Sequence, residues 1–425
     1  MRKIIFCICC LFIADSGWAD MYVALNDVYI SNPLIKQART DVDLAQANLD
    51  SAKTELQPYL GLSGNIGVAQ TQLTGMDFDY APMQYGIEVQ QNIFSGGAMF
   101  AKIKAGQGLT YAAQAQLYAV QQDVFMSAIN AYIEVLNARE VMNLNENNQN
   151  VLQKYYDLVR DRMRVGMLTQ TDVAQASARL EMAKYGVSDA VAKYDNALET
   201  FRRIYGGVDY KFADIDLERI DDLFPESVSG AEEDALRNHP LLRALQAQED
   251  ATRQNITVAR SSIVPSVDVR GAISRIDNVP FLDDITDSRI GVYLKVPLYD
   301  KGNAFANMDK VRANIAGIQE QIVNARRVII ENLRSAWNIY QAQEYAISAT
   351  EASVDASKLA LDGVRDEQAR GRRTVLDVLN AEQELLNARV AHTRAKHARV
   401  SAFFAVLSAM GELSPENLGL EIYKK

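Results

Sequence analysis

The residue types that most often carry out catalysis or hold metal ions are few and scattered in this chain. It has three histidines: His239 stands before Pro240, and His392 and His397 are five positions apart. Pairs of metal ligands on one helix are usually three or four positions apart, and no histidine here has an obvious set of carboxylate partners. We therefore predict that the protein is not an enzyme and that it uses no cofactor and no metal.

The first residues have the form of a secretory signal peptide. Arg2 and Lys3 precede an apolar run over 4–13 that is too short to span a bilayer, and small residues surround Ala19. We predict a signal peptide over 1–19 with cleavage after Ala19. The same segment contains every cysteine of the chain: Cys7, Cys9 and Cys10. The mature chain would then have no thiol and no disulfide, although lipidation at Cys10 stays open as the less favoured alternative.

The charge of the chain argues against nucleic acid as a partner. The full sequence has 44 basic and 54 acidic residues, and removal of residues 1–19 takes away Arg2, Lys3 and Asp15, which leaves a formal charge of −11. An acidic chain repels a phosphate backbone.

The strongest pattern in the sequence is an internal duplication. The motif Gly-x-x-Thr-x-x-Asp-Val occurs at 166–173 and again at 371–378, and Asn32-Pro33-Leu34 is matched by His239-Pro240-Leu241. The blocks keep the same order, which indicates two copies of one structural unit. We predict a first repeat over 20–205, a linker over 206–231, a second repeat over 232–410 and a C-terminal segment over 411–425.

Each repeat contains a stretch that favours one very long helix. No proline occurs between Pro82 and Pro225 or between Pro297 and Pro415, and apolar residues recur at spacings of three and four. We predict helices over 20–57 and 97–204 in the first repeat and over 240–264 and 302–410 in the second, where 97–204 and 302–410 each read as a long helix, a turn and a further helix. The uninterrupted stretch before Gly166 would be roughly 100 Å long at about 1.5 Å per residue, which is typical of a coiled coil or a helical wall.

Between these helices the apolar period changes from helical to two. The segments 59–94 and 266–299 read as hairpins whose strands of about ten residues have one apolar face, the length that crosses a bilayer when tilted. Four strands are too few to close a barrel, and lipid does not tolerate an open edge. The barrel would have to be shared between subunits. The alternative is a small exposed ribbon on a soluble rod.

With these motifs in place, the chain resembles the TolC family of outer membrane efflux proteins over nearly its whole mature length. The resemblance implies a mainly α-helical fold in which a coiled-coil barrel joins four β-strands per chain, completing a trimeric twelve-stranded barrel in the outer membrane of a Gram-negative bacterium. It also implies an equatorial belt built around 206–231 and 411–425. The implied function is the passive exit duct of a tripartite efflux or type I secretion system. Its partners would be outer membrane lipid, a periplasmic adaptor and an inner membrane pump of the ABC or RND type.

The resemblance also assigns roles to the turns of each repeat. Residues at the far end of the helices correspond to a gate and selectivity ring: Asp377, Asn380, Arg373, Gln368 and Asp172. The adaptor-docking turns correspond to Arg164, Gly166, Thr169, Arg370, Gly371 and Thr374. The turns that lead from strand to helix contain Gly96, Gly97, Pro297 and Gly302. The chain departs from the family pattern at Asn380, where a second acidic residue is usual, and at Gln368, where an aromatic residue is expected.

A simpler interpretation of the acidic residues stands beside the gating one. Thr169 with Asp172, and Thr374 with Asp377, have the spacing of a capping box, and Arg373 could pair with Asp377 along one helix. The alternative for the whole chain is a soluble periplasmic coiled-coil or adaptor protein, against which the duplicated hairpins argue. Ducts of this kind export drugs, metals or proteins, and their specificity lies mainly in the pump.

Overall fold

The computed structural model describes residues 21–420 except 74, 208–209, 211, 216, 218–221 and 280–281. The predicted signal peptide therefore lies outside the described residues, as do the last five residues of the predicted C-terminal segment. The chain divides into two compact units. The first consists of Met1–Lys36, Ala119–His239 and Ile329–Lys425, and the second of Gln37–Tyr118 and Pro240–Val328.

Eight α-helices are described: α1 (Met21–Ser31), α2 (Pro33–Thr54), α3 (Ala98–Arg164), α4 (Gln170–Tyr205), α5 (Val228–Asn238), α6 (Pro240–Arg260), α7 (Asn303–Ala369) and α8 (Val375–Met410). Helices α3 and α7 both have 67 residues, and α4 and α8 both have 36. These equal lengths are consistent with the predicted duplication. Within the described residues, none of the helices has both the length and the apolar character needed to cross a membrane.

The segment predicted as one helix over 20–57 is divided at Asn32. Pro33 has no N–H to donate and restricts the residue before it, so the helical hydrogen bonds cannot continue through this point. The Asn32 side chain instead accepts a hydrogen bond from the Leu34 N–H at 2.9 Å, which begins α2. The prediction of one continuous helix here was wrong because it gave the proline too little weight.

The second unit holds a four-stranded antiparallel sheet in the order β1 (Tyr59–Ile66), β4 (Met83–Ser95), β5 (Ser266–Val279), β6 (Leu282–Lys295). A separate hairpin of β2 (Ala69–Leu73) and β3 (Met76–Tyr80) lies between β1 and β4 in sequence. The four predicted strands are thus present, and this additional hairpin was not predicted. Its turn uses Gly75 at a φ of 86°, a conformation that glycine adopts without steric cost.

The helices of the second unit follow the order of the strands. A Cβ on Gly106 would lie 3.1 Å from Leu49 Cδ1, and one on Gly108 would lie 2.9 Å from Ala251 Cβ, so both glycines permit close helix packing. Between α6 and α7, Gln319 Nε2 donates to Glu249 Oε1 at 2.8 Å. These contacts join α2 to α3, α3 to α6, and α6 to α7. The helices next to β1, β4, β5 and β6 in the chain are therefore packed in the same order as the strands.

The first unit has an aromatic core that fixes the described part of the linker. The Tyr132 hydroxyl contacts both the carbonyl and the N–H of Ala213 at 2.9 Å, and Arg139 Nη1 donates to the Phe212 carbonyl at 3.2 Å. The Phe201 and Phe212 rings pack edge to face with centroids 4.9 Å apart. Phe212 and Ala213 are therefore held against α3 and α4. Other parts of the predicted linker over 206–231 lie outside the described residues.

Candidate functional site

Two tight turns in the first unit connect the long helices to their partners. After α3, the N–H of Gly166 donates to the Met163 carbonyl and that of Met167 to the Arg162 carbonyl, both at 2.9 Å. After α7, Gly371 donates to the Gln368 carbonyl at 3.0 Å and Arg372 to the Glu367 carbonyl at 2.9 Å. Both are Schellman motifs, which need a left-handed residue at the glycine position. Gly166 and Gly371 have φ values of 81° and 74°.

Each turn then starts the next helix with a full capping box. Thr169 and Thr374 accept from the N–H of Asp172 and Asp377 at 3.2 Å, and each aspartate accepts from the N–H of its own threonine at 2.8 and 2.9 Å respectively. The backbone N–H groups at the starts of α4 and α8 are thus hydrogen-bonded in the same way. The hydrogen bond from the Thr374 backbone lowers the pKa of Asp377, so this carboxyl is ionised at neutral pH.

Arg373 does not make the expected hydrogen bond to Asp377. Its Nε donates to Glu367 Oε2 at 2.8 Å, and this bond is the main reason that the pKa of Arg373 is raised. Asp377 adds only a weaker electrostatic attraction. The capping box already holds the Asp377 carboxylate, whereas Glu367 in the last turn of α7 lies across the tight turn from Arg373. The hydrogen bond that the spacing of Arg373 and Asp377 allowed is not made for that reason.

The other candidates at these turns have different surroundings. Asn380 Oδ1 accepts from Arg179 Nη2 at 2.8 Å, which links α8 to α4. Gln368 uses its backbone carbonyl to close the turn at Gly371, and Arg370 donates its N–H to the Glu367 carbonyl at 3.2 Å. Arg164 pairs with Asp161 on the last turn of α3 at 3.3 Å. The duplicated turns are exposed, and an exposed, conformationally defined turn is suited to docking.

Sequence reasoning missed a charged pair beside these turns. Arg365 on α7 donates to Glu382 on α8, whose side chain is only 8% exposed. Glu382 lies on the helical face of Val378 and Leu385, which are in one apolar cluster with Leu361. The helical period of α8 places position 382 on its buried face, and this was the available signal.

Tyr155 on α3 joins the two apolar clusters at this end of the unit. It packs against the cluster that includes Leu152 and Leu180 and also against the cluster that includes Leu361. Its hydroxyl is buried without a hydrogen-bond partner among the described residues, and burial raises the pKa of Tyr155 to about 12. An ionisable phenol in this place is neutral and contributes mainly packing.

The strand-to-helix turns of the second unit rely on special backbone conformations. Gly96, Gly97 and Gly302 have φ values of 63°, 84° and 82°. In the second turn, which follows Pro297, Asp300 accepts from the N–H groups of Gly302 at 2.9 Å and Ala304 at 2.6 Å. Asp300 therefore caps α7 and redirects the chain out of the sheet. This cap was not predicted.

The sheet has one apolar and one polar face. Residues paired across strands lie on the same face, and the pairs Leu62 with Ile87, Ile87 with Ile273, and Val269 with Val292 define the apolar one. Its side chains are exposed in the single chain, reaching 83% at Leu62 and 84% at Ile290. The opposite face includes Gln84, Glu88, Gln90, Arg270, Ser274, Asp287 and Arg289. A continuous exposed apolar face of this kind marks an interaction surface.

Strands β1 and β6 form the two edges of this sheet. Each strand pairs on one side only within it, so a row of backbone N–H and carbonyl groups on each edge faces outward. Within the described residues, no group of three or more histidine, cysteine, aspartate or glutamate side chains is arranged to hold a metal ion.

Comparison with known proteins decides the family. The model of the family described as outer membrane efflux protein matches residues 24–207 and 232–412, once for each predicted repeat. The chain belongs to the outer membrane efflux protein family. The resemblance inferred from the duplicated motifs is thereby confirmed, and so are the outer membrane location and the general role in efflux.

Curated relatives and solved structures agree with this assignment. The chain is 28% identical over 402 residues to the outer membrane efflux protein BepC of Brucella suis, covering 94% of this chain and 87% of that protein. It is 24% identical over 428 residues to the outer membrane protein TolC of Escherichia coli, covering 95% and 85%. The CmeC outer membrane channel of Campylobacter jejuni superposes with a TM-score of 0.82 at 19% identity, covering 92% and 85%. The predicted fold class is confirmed.

Proposed function

We propose that this member of the outer membrane efflux protein family is the passive exit duct of a tripartite efflux or type I secretion system. The observation that carries the proposal is the four-stranded sheet, whose exposed apolar face suits lipid and whose polar face suits a water-filled lumen. The relative named TolC, and the protease secretion protein AprF of Pseudomonas aeruginosa at 24% identity, support a role in export. Passage through a duct requires no catalytic residue.

The duct is a homotrimer in this proposal. A single chain supplies four long strands in one sheet and leaves β1 and β6 as edges. Open sheet edges are not stable in hydrocarbon, so β6 of one copy pairs with β1 of the next, and three copies close a barrel of twelve strands. The helices that follow β4 and β6 then continue the wall of the duct into the periplasm.

The adaptor and the inner membrane pump bind on the side of the helical turns. The support for this assignment is that two equivalent exposed turns, at Gly166 and Gly371, present the same backbone geometry and the same capping box. A helical hairpin of an adaptor would meet both repeats in the same way. The predicted domain bounds fit this arrangement, with the two repeats forming the wall and 206–231 with 411–425 forming the belt.

The turn at Asp377 is the gate. Three copies of an ionised carboxylate would converge near the axis of a trimer, where they repel one another and attract cations. Asn380 makes this ring less acidic than the usual family pattern, and Gln368 replaces the aromatic residue that would link it. Arg373 is held by Glu367 of its own chain. We expect a constriction that is selective for cations and weakly closed.

The first experiment measures the assembly and the channel together. The mature protein is extracted from outer membranes in mild detergent, and its protein mass is determined by light scattering with refractive-index and absorbance correction. A trimer that conducts ions in planar bilayers supports the duct. A monomer that remains soluble without detergent and shows no conductance contradicts the duct and favours the periplasmic rod.

The gate is tested with Asp377→Asn, which removes the charge but keeps an oxygen that accepts from the Thr374 N–H. The expected result is a weaker block of the channel current by trivalent cations applied from the periplasmic side. Thr374→Ala weakens the same capping box but keeps the Asp377 carboxylate, and it controls for damage to the helix N-terminus. Unchanged block in Asp377→Asn would remove this residue from the constriction.

A further inference from the structure

The apolar face of the sheet carries one charged network near the end of the strands that is remote from the helices. Arg275 Nε lies 2.9 Å from Asp277 Oδ1, and Arg275 Nη2 lies 2.8 Å from Asp284 Oδ2. The Tyr85 hydroxyl donates to Asp277 Oδ2 at 3.2 Å. Four side chains from β4, β5 and β6 thus form one connected polar group.

The register places this network on the same face as the exposed aliphatic side chains. Tyr85 pairs with Arg275, and two residues further along β4, Ile87 pairs with Ile273. Asp277 pairs with Asp284 across β5 and β6. Since side chains alternate along a strand, residues 273, 275 and 277 share one face. On β5 and β6 the aliphatic run of this face is therefore interrupted by the network, and the next pair beyond it is Val279 with Leu282.

On this face β5 and β6 change from aliphatic to polar residues at this level, whereas β1 and β4 keep Ile66 and Met83, which register with Asp277. Ile290 and Val292 on β6 are 84% and 71% exposed, and Ile273 on β5 is 62% exposed. The next positions of β6 on the same face are Ser288, Thr286 and Asp284, which are all polar. Arg275 keeps about half of its side chain exposed, at 47%. A charged group so exposed on the lipid face is unfavourable in hydrocarbon and is tolerated at the headgroup level.

We propose that the Arg275 guanidinium, held by Asp277 and Asp284, binds a phosphate of the membrane headgroup layer, and that with Tyr85 it marks the boundary of the hydrocarbon on β5 and β6. This inference rests on the proposed function, since it requires the apolar face to contact lipid. A guanidinium carries five N–H donors, more than the two carboxylate contacts use, and its planar fork suits a phosphate group. The carboxylates hold the guanidinium at this level, and the tyrosine adds the amphipathic ring that is common at membrane interfaces.

The boundary is tested by measuring depth in the membrane at three positions of β6. The three cysteines of the chain all fall within residues 1–19, so single labels can be placed with Ile290→Cys, Thr286→Cys and Asp287→Cys. Each carries an environment-sensitive fluorophore in phosphatidylcholine vesicles containing lipids brominated at the middle of the acyl chain or carrying a quencher on the headgroup. We expect mid-chain quenching at position 290, headgroup quenching at 286, and neither at 287 on the polar face.

The outcomes separate this inference from the proposed function. If positions 286 and 290 are quenched equally by mid-chain bromine, the boundary is misplaced and the inference is overturned while the membrane role stands. If position 290 is quenched by neither lipid, the apolar face does not contact the membrane and the proposed function fails as well.

Headgroup recognition is tested with Arg275→Gln and a matched control. Arg289→Gln removes an arginine from the polar face of the same sheet, where Arg289 lies 3.4 Å from Asp287. The midpoint of thermal unfolding is measured in maltoside micelles with and without added phosphatidylglycerol. We expect the wild type and Arg289→Gln to show the same upward shift, and Arg275→Gln to lose at least half of it.

A second variant keeps this test decisive if Arg275→Gln folds poorly. Arg275→Lys keeps the positive charge but loses the planar fork, and we expect it to retain part of the phospholipid shift. An unaltered shift in both Arg275 variants would show that the network binds no lipid phosphate.

Discussion

Replacement of Arg365 by methionine should destabilise the end of the helical hairpin much more than replacement of its partner Glu382 by glutamine. The two side chains form one ion pair but differ in exposure, at 46% for Arg365 and 8% for Glu382. Arg365→Met leaves a buried carboxylate without its counter-ion. Glu382→Gln leaves an arginine that water can reach, together with a neutral amide that can still accept a hydrogen bond.

The expected magnitudes follow from this asymmetry. Removing one partner of a buried ion pair costs roughly 3 kcal/mol or more when the remaining charge stays buried. The loss of a charge-assisted hydrogen bond with the remaining charge solvated costs about 1 kcal/mol. The double variant Arg365→Met with Glu382→Gln should cost less than the sum of the two single changes, because no buried charge is left unpaired.

The assay is hydrogen–deuterium exchange of the detergent-extracted protein, read by mass spectrometry on peptides that cover 375–385. A loss of about 3 kcal/mol corresponds to exchange faster by roughly 100-fold, and a loss of about 1 kcal/mol to roughly fivefold. Peptides from 170–180 in the equivalent helix serve as the internal control. Equal effects of the two single variants, or an additive double variant, would show that burial of Glu382 does not set the energy of this pair.

Four further substitutions probe the same unit. Gly371→Ala should destabilise the turn by about 1 kcal/mol, because alanine is strained at a φ of 74°. Gly363→Ala within α7 meets open space and should stabilise the protein by about half that. The two variants should therefore shift the midpoint of thermal unfolding in opposite directions. Tyr155→Phe should be neutral or stabilise by about 1 kcal/mol, since it removes a buried hydroxyl that has no partner among the described residues, and slower exchange near 155 would show it. Burial lowers the pKa of His239 to about 4, so the folded state favours the neutral form. As the pH falls from about 6.5 towards 4, the free energy of unfolding should therefore decrease by about 3 kcal/mol. His239→Gln should flatten this part of the pH profile of unfolding.

The features that the sequence predicted well depend on local chemistry. The change of apolar period from helical to two placed the four long strands. The resemblance placed both helical turns, at which Gly166 and Gly371 have a positive φ that few other residues adopt at low cost. The capping boxes followed from a spacing of three residues. Each of these features is determined by residues close together in the chain, so one sequence suffices to predict it.

The contacts that the sequence did not reveal join residues whose relation depends on packing. Arg179 and Asn380 are 201 positions apart, and Arg365 and Glu382 are on different helices. Arg373 had two carboxylates within reach in sequence, and only the folded turn shows that Asp377 is already occupied by Thr374 while Glu367 is available. A spacing rule ranks possible partners along one helix but does not show which of them a cap has already taken.

The two duplicated turns are alike locally but differ in their contacts with distant residues. The two turns have the same backbone hydrogen bonds and the same caps, yet Asn380 on the second is linked to Arg179 on the first repeat, and the pair of Arg365 and Glu382 belongs to the second repeat alone. Identical local geometry therefore preserves two equivalent exposed turns, while the side chains that lie beyond the caps make the second turn different. If the gate is formed by Asp377, its closure is controlled by contacts that the first repeat lacks, and the capping boxes common to both repeats only hold the carboxylates in place.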